Sequence, residues 1–142
     1  MANVKMGFEG LLYYGAAGAT ATTLLENCRD ITVSREVDRG NTTVRGDSSA
    51  PPIKTSSVTA RAVNIEFVMI HDITDTEFAS LKTAAANGTA VALRGKDYAS
   101  GKGPDADYNL SASDPWPLEG EQVVTFSCEP TRDHGRTPLS YV

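Results

Sequence analysis

Residues 58–70 constrain the fold more than any other part of the chain. Val63, Ile65, Phe67 and Met69 alternate there with Ala62, Asn64, Glu66 and Val68. An apolar period of two marks a strand with one buried face, and a slip of one residue would expose the whole apolar set. A second alternation lies within residues 24–37, where Ile31, Val33 and Val37 oppose Thr32, Ser34 and Glu36 and predict one or two further strands. Residues 8–14 predict an edge strand running into a flexible Gly- and Ala-rich loop at 15–21. Shorter runs at 89–94, 107–112 and 122–130 add three more strands, with loops at 95–104 and at Asp114-Pro115-Trp116-Pro117.

One helix interrupts the strands. Thr74 stands at the N-cap position, Glu77 follows three residues on as in a capping box, and Gly88 marks the stop, which predicts a helix over 75–87. Phe78, Leu81 and Ala85 give it a narrow apolar stripe facing the sheet. Many strands and one flanking helix predict a mainly β (α+β) fold, two antiparallel sheets packed as a sandwich or partly closed barrel. At 142 residues the chain is long enough to bury one core, so a single domain over 1–142 is expected.

Between the two alternating strands lies a polar, turn-rich arm over 38–55. It contains Asn41-Thr42-Thr43-Val44-Arg45-Gly46-Asp47 and then Pro51-Pro52. Arg35, Arg39 and Arg45 alternate with Glu36, Asp38 and Asp47, a pattern suited to salt bridges between copies. In an isolated subunit the same segment reads equally as a solvated hairpin that orders on assembly.

The net charge of -5, with no basic run, argues against a surface that grips nucleic acid. The amino-terminal residues lack the apolar core and cleavage site of a secretory signal, and no run approaches the ~20 apolar residues of a membrane span. Synthesis and folding in a cytoplasm, with no membrane partner, are the expectation. Cys28 and Cys128 suit either a pair across the sheet or two buried thiols.

Searches for chemistry return little. His71 and His134 share no ligand spacing with the cysteines and sit beside no nucleophile motif. Asp105-Ala106-Asp107-Tyr108-Asn109 opens like a calcium loop, but Leu110 stands where Gly is needed and Trp116 where the closing Glu belongs. Gly95-Lys96 and Gly101-Lys102-Gly103 fit no phosphate-loop pattern. Trp116 between two prolines reads first as a packing residue covering a sheet end, and second as a ligand platform. No catalytic residue, cofactor or metal is expected.

The order of short motifs carries a resemblance over nearly the whole chain. Asn27-Cys28-Arg29-Asp30-Ile31 leads into an alternating strand. Thr42-Thr43-Val44-Arg45-Gly46 follows, then a long strand and the helix, then Asn87-Gly88-Thr89-Ala90-Val91-Ala92-Leu93. Gly103-Pro104-Asp105-Ala106-Asp107-Tyr108 and the close Pro138-Leu139-Ser140-Tyr141-Val142 complete it. The sequence resembles the tail tube (major tail) proteins of long-tailed bacteriophages and related prophage elements. It differs from commoner members in its Ala-rich first loop and its cysteines.

The resemblance implies a structural virion protein, assembled in the host bacterial cytoplasm and located in the tail. Hexameric rings would stack into a hollow tube through which double-stranded DNA leaves. Partners would be other copies of the chain and the tape measure, tail terminator and distal tail proteins. Arg35, Arg39, Thr43, Arg45, Gly46 and Asp47 of the arm would meet neighbouring subunits. A wall passing DNA must not bind it, and acidic or neutral polar side chains repel it within a Debye length of about 8 Å. The polar strand faces supply the candidates Glu36, Asn64, Glu66, Thr125, Ser127 and Glu129, with Thr32 and Ser34 beside them; the same residues also suit an ordinary solvent face. Two alternatives share the strand content, the inner tube of a contractile tail or injection system and an immunoglobulin-like decoration or binding module.

Overall fold

The computed structural model describes residues 3–46 and 50–142. Its strands are β1 (Leu11–Ala16), β2 (Thr23–Leu24), β3 (Cys28–Asn41), β4 (Ser56–Ile70), β5 (Val91–Lys96), β6 (Asp105–Ser113) and β7 (Val123–Thr131), with one helix α1 (Thr76–Asn87) between β4 and β5. All are antiparallel in a single seven-stranded sheet of order β2-β1-β5-β6-β7-β4-β3.

The alternation read in β4 is the register observed. Ile65, Phe67 and Met69 are buried and face Cys128, Phe126 and Val124 across the β4–β7 ladder. Tyr108 and Leu110 of β6, and Val91 and Leu93 of β5, extend the same apolar face. Ile31 and Val33 on edge strand β3 pack into the cluster that holds Leu12 and Leu25 near the opposite edge. The sheet is therefore curled, and both walls of its core belong to it. The mainly β architecture is the one expected, with its two packed walls joined by one unbroken chain of ladders into a single sheet. It is not a closed barrel, since β2 and β3 share no ladder.

Helix α1 covers part of this core with Phe78, Leu81 and Ala84. Phe67 stacks on Phe126 with ring centroids 5.1 Å apart, and Phe78 meets Phe126 edge-on at 6.4 Å. Such aromatic pairs contribute about 0.5–1.5 kcal/mol each beyond the area they bury. The N-cap is Asp75 rather than Thr74: its carboxylate accepts from the backbone N–H groups of Glu77 and Phe78. Asp adds a negative charge at the positive end of the helix dipole, while Thr74 is drawn back to Asp72 through its hydroxyl and N–H. Gly88 ends the helix at φ 71°, where a side chain would be strained.

Two further boundaries move. Residues 7–9 form a 3-10 turn, and β1 begins only at Leu11, flanked by β5 on one side and the two-residue β2 on the other. The expected arm begins inside β3, because pairing with β4 continues to Asn41 opposite Ser56 and Thr42 N–H donates to Thr55 at 3.1 Å. The last residues pack on their own subunit: Leu139 exchanges backbone hydrogen bonds with Asp105, and Val142 does so with Gly103. Among the described residues no helix is long and apolar enough to cross a membrane.

Candidate assembly surfaces

The side chains with chemical potential are occupied by the fold. His71 tilts against Phe78 at 5.0 Å, His134 is exposed, and no metal-ligating cluster occurs among the described residues. Cys28 and Cys128 are unpaired thiols. Burial, and secondarily the charge of Asp75, pushes the Cys28 thiol up to about 12; burial raises Cys128 as well. Protonated thiols at neutral pH are poor nucleophiles.

Asp105 and Asp107, which open the calcium-like motif, instead hold a cation of the chain itself. Arg136 donates through Nη2 to Asp105 at 2.6 Å, and through Nη1 to Asp107 at 3.0 Å and to the Ala19 carbonyl at 2.9 Å. The Gly18 N–H donates to both oxygens of Asp107 at 3.1 and 3.0 Å. Burial works against the charge of Arg136, but the hydrogen bonds and attraction of the two carboxylates outweigh it and raise its pKa. Asp107 is fully buried, so these partners carry an ion that is costly to leave alone. The knot ties the first loop, β6 and the C-terminal segment together. Nothing in the local sequence around Arg136 announced it, because the partners lie about thirty residues apart.

The residues expected along a channel wall share one face of the sheet. Thr32 pairs with Glu66 and Ser34 with Asn64 across β3–β4, while Glu66 pairs with Ser127 and Val68 with Thr125 across β4–β7. The rows continue into β6 with Ser127 opposite Ser111, Glu129 opposite Asn109 and Thr125 opposite Ser113. Glu36, opposite Ala62, lies at the upper end of the same face. Asn109, Ser111 and Ser113 were missed in the sequence because no strongly apolar partner set made their alternation visible. Along these paired rows the face carries the carboxylates of Glu36, Glu66 and Glu129, and Arg39, opposite Val58, lies farther along the same side.

The arm residues do not act alike. Arg35 faces the inner side, donating to the Ser140 carbonyl at 3.1 Å with its guanidinium 5.7 Å from the Tyr141 ring. Arg39 sits exposed in β3 opposite Val58. Thr43 closes the hairpin: its N–H donates to Asn41, and its hydroxyl oxygen accepts from the Thr55 N–H at 2.9 Å. Arg45 and Gly46 are exposed beyond the ladder, and Asp47 lies outside the described residues.

Two surfaces escaped the sequence reading. Trp116 is 74 % exposed and Leu118 fully so, which corrects the expectation that Trp116 packs over a sheet end; the connection from β6 to β7 carries it away from the core. Along the seam between β3 and the β1–β2 edge runs a cleft of about 770 Å³. Its floor includes Leu12, Leu25, Ile31 and Val33, core side chains that α1 leaves uncovered.

Neither a protein-family model nor a curated protein matches the sequence. Solved structures do match in fold. The tail of an empty gene transfer agent (GTA) particle, refined with C6 symmetry, superposes with a TM-score of 0.74 at 11 % identity, covering 96 % of this chain and 98 % of that one. A chain of the native GTA virion gives 0.71 at 9 %, covering 98 % and 99 %. The SPP1 tail tube gives 0.65 at 11 %, covering 96 % of this chain and 80 % of that one. The chain shares the fold of these virion and tail chains over nearly its whole length, the fold its motif order implied.

Proposed function

We propose that this chain is the repeating structural subunit of a tail tube. Hexameric rings of it stack into a hollow cylinder within a virion-like particle, assembled in the bacterial cytoplasm, and double-stranded DNA passes along the lumen during ejection. The observation that carries the reading is the end-to-end fold match to tail structures, one of them a tail of C6 symmetry. The contiguous polar face of β3, β4, β7 and β6 supports it further. Glu36, Glu66 and Glu129 there would repel DNA phosphates while Thr, Ser and Asn keep the wall wetted.

The sheet edges give the physical need for partners, since β3 leaves a long unpaired edge that an isolated protein would have to protect. Neighbouring copies meet that need, with the β3–β4 hairpin tip reaching the next ring through Arg39 and Arg45. Tape measure, terminator and distal tail proteins are the further partners of such a tube. Electron microscopy of the purified protein tests the proposal: rings or long hollow polymers are expected. Monomers at every concentration and salt, alone or with neighbouring tail proteins, would overturn it.

A further inference from the structure

The loop at 114–121 and the seam cleft are complementary, and within one subunit Trp116 and Leu118 of the loop stay exposed. The loop holds two exposed apolar side chains, Trp116 and Leu118, and its charges are the carboxylates of Asp114, Glu119 and Glu121. Its base is fixed to its own subunit by Glu121 on Arg29 at 3.1 Å and Asp114 on Lys82 at 3.5 Å. Pro115 and Pro117 restrict the backbone beside Trp116, which lowers the entropy lost on docking. The cleft has the opposite character, an apolar floor edged by five cations and two carboxylates. Its Lys5, Lys96 and Lys102 take part in no ion pair among the described residues.

We propose that the cleft of one copy receives the 114–121 loop of a second copy, with Trp116 and Leu118 on the apolar floor and Glu119 facing the lysines. This rests on the tube reading, to which it adds a contact between copies. Charge selects this occupant over the hairpin tip, which offers Val44 and Ile53 but beside Arg45 and Lys54, which the basic rim repels. The volume of about 770 Å³ suits the pair of side chains and lies within the usual range of binding clefts, about 300–1,000 Å³. Glu121 at the base of the loop grips Arg29 at one margin of its own cleft, while Trp116 and Leu118 do not line that cleft; a contact that propagates from copy to copy pairs each loop with the cleft of the next copy.

Trp116 is the sole tryptophan of the chain, so its fluorescence reports the contact directly. On assembly of the intact protein its emission should shift to the blue and its quenching by acrylamide should fall several-fold. Trp116→Ala, exposed in the subunit and so harmless to its folding, should raise the concentration needed for assembly by about thirtyfold, as expected for a Trp anchor. Glu119→Lys should also weaken assembly, and adding Lys102→Glu to the same chain should restore part of it. Tubes in which Trp116 stays as quenchable as in the free subunit overturn the proposal, leave the tube reading standing, and give the cleft to another occupant such as residues 3–10. A charge swap no better than Glu119→Lys alone also counts against it. A protein that never assembles overturns both readings.

Discussion

The Arg136 knot and the β3–β4 arm both place charges on a segment that leaves the core, and they use them oppositely. Arg136 is almost enclosed, with two carboxylates and a carbonyl spending its donors inside the subunit. Arg39 and Arg45 stand exposed, in no ion pair among the described residues. Side chains satisfied within the chain hold the fold, and those left without partners are available to another copy. Arg35 belongs with the first group despite its place in the sequence, since the C-terminal segment takes its guanidinium.

This contrast can be broken at either side. The largest effect on stability is expected from Arg136→Met, which strands the buried Asp107 carboxylate and should cost about 3–5 kcal/mol in chemical denaturation; a loss below 1 kcal/mol would place the knot among the dispensable charges. Alkaline titration comes next. The Cys28 pKa is raised from 9.0 to about 12, so the unfolded chain ionises first and stability present below pH 9 is lost as pH rises toward 12. The slope is at most about 1.4 kcal/mol per pH unit per thiol, and Cys28→Ala with Cys128→Ala should flatten it. Asp75→Ala removes the helix cap and should cost about 1 kcal/mol, read as a lower melting temperature. Tyr108 sharpens the point from the other side: its hydroxyl is buried with no partner among the described residues, so Tyr108→Phe should leave stability unchanged or raise it by up to about 1 kcal/mol. The smallest effect on folding belongs to the arm. Arg45→Glu should alter subunit stability by less than about 0.5 kcal/mol, yet stop tube formation seen by microscopy; normal tubes would remove Arg45 from the contact between rings.

Local periodicity made much of the architecture legible. The Ile65, Phe67, Met69 alternation fixed one strand face, and Gly88 fixed the end of the helix. The rest depends on contacts that sequence spacing does not encode. Arg136 finds Asp107 only because β6 and the C-terminal segment converge, and the curl of the sheet shows itself only when Ile31 and Leu12 meet in one core. The polar face was readable on β3, β4 and β7, whose apolar sides alternate clearly, but not on β6. Trp116 misled for a different reason: size and apolarity argue for burial, whereas exposure is decided by where its loop leaves the sheet.

The order of strands also sets a schedule for folding. The β3–β4 hairpin joins neighbours in sequence and can form from local contacts, but Leu11 must find Lys96 and Ile70 must find Val123 before the core closes. Such distant pairing makes closure of the sheet the slow event. Arg136 follows every strand in the chain, so on a ribosome Asp105 and Asp107 emerge before their counter-ion. A nascent chain therefore has its projecting hairpin early and the buried Asp107 neutralised late, and the tightly held subunit exists only once the segment carrying Arg136 has emerged.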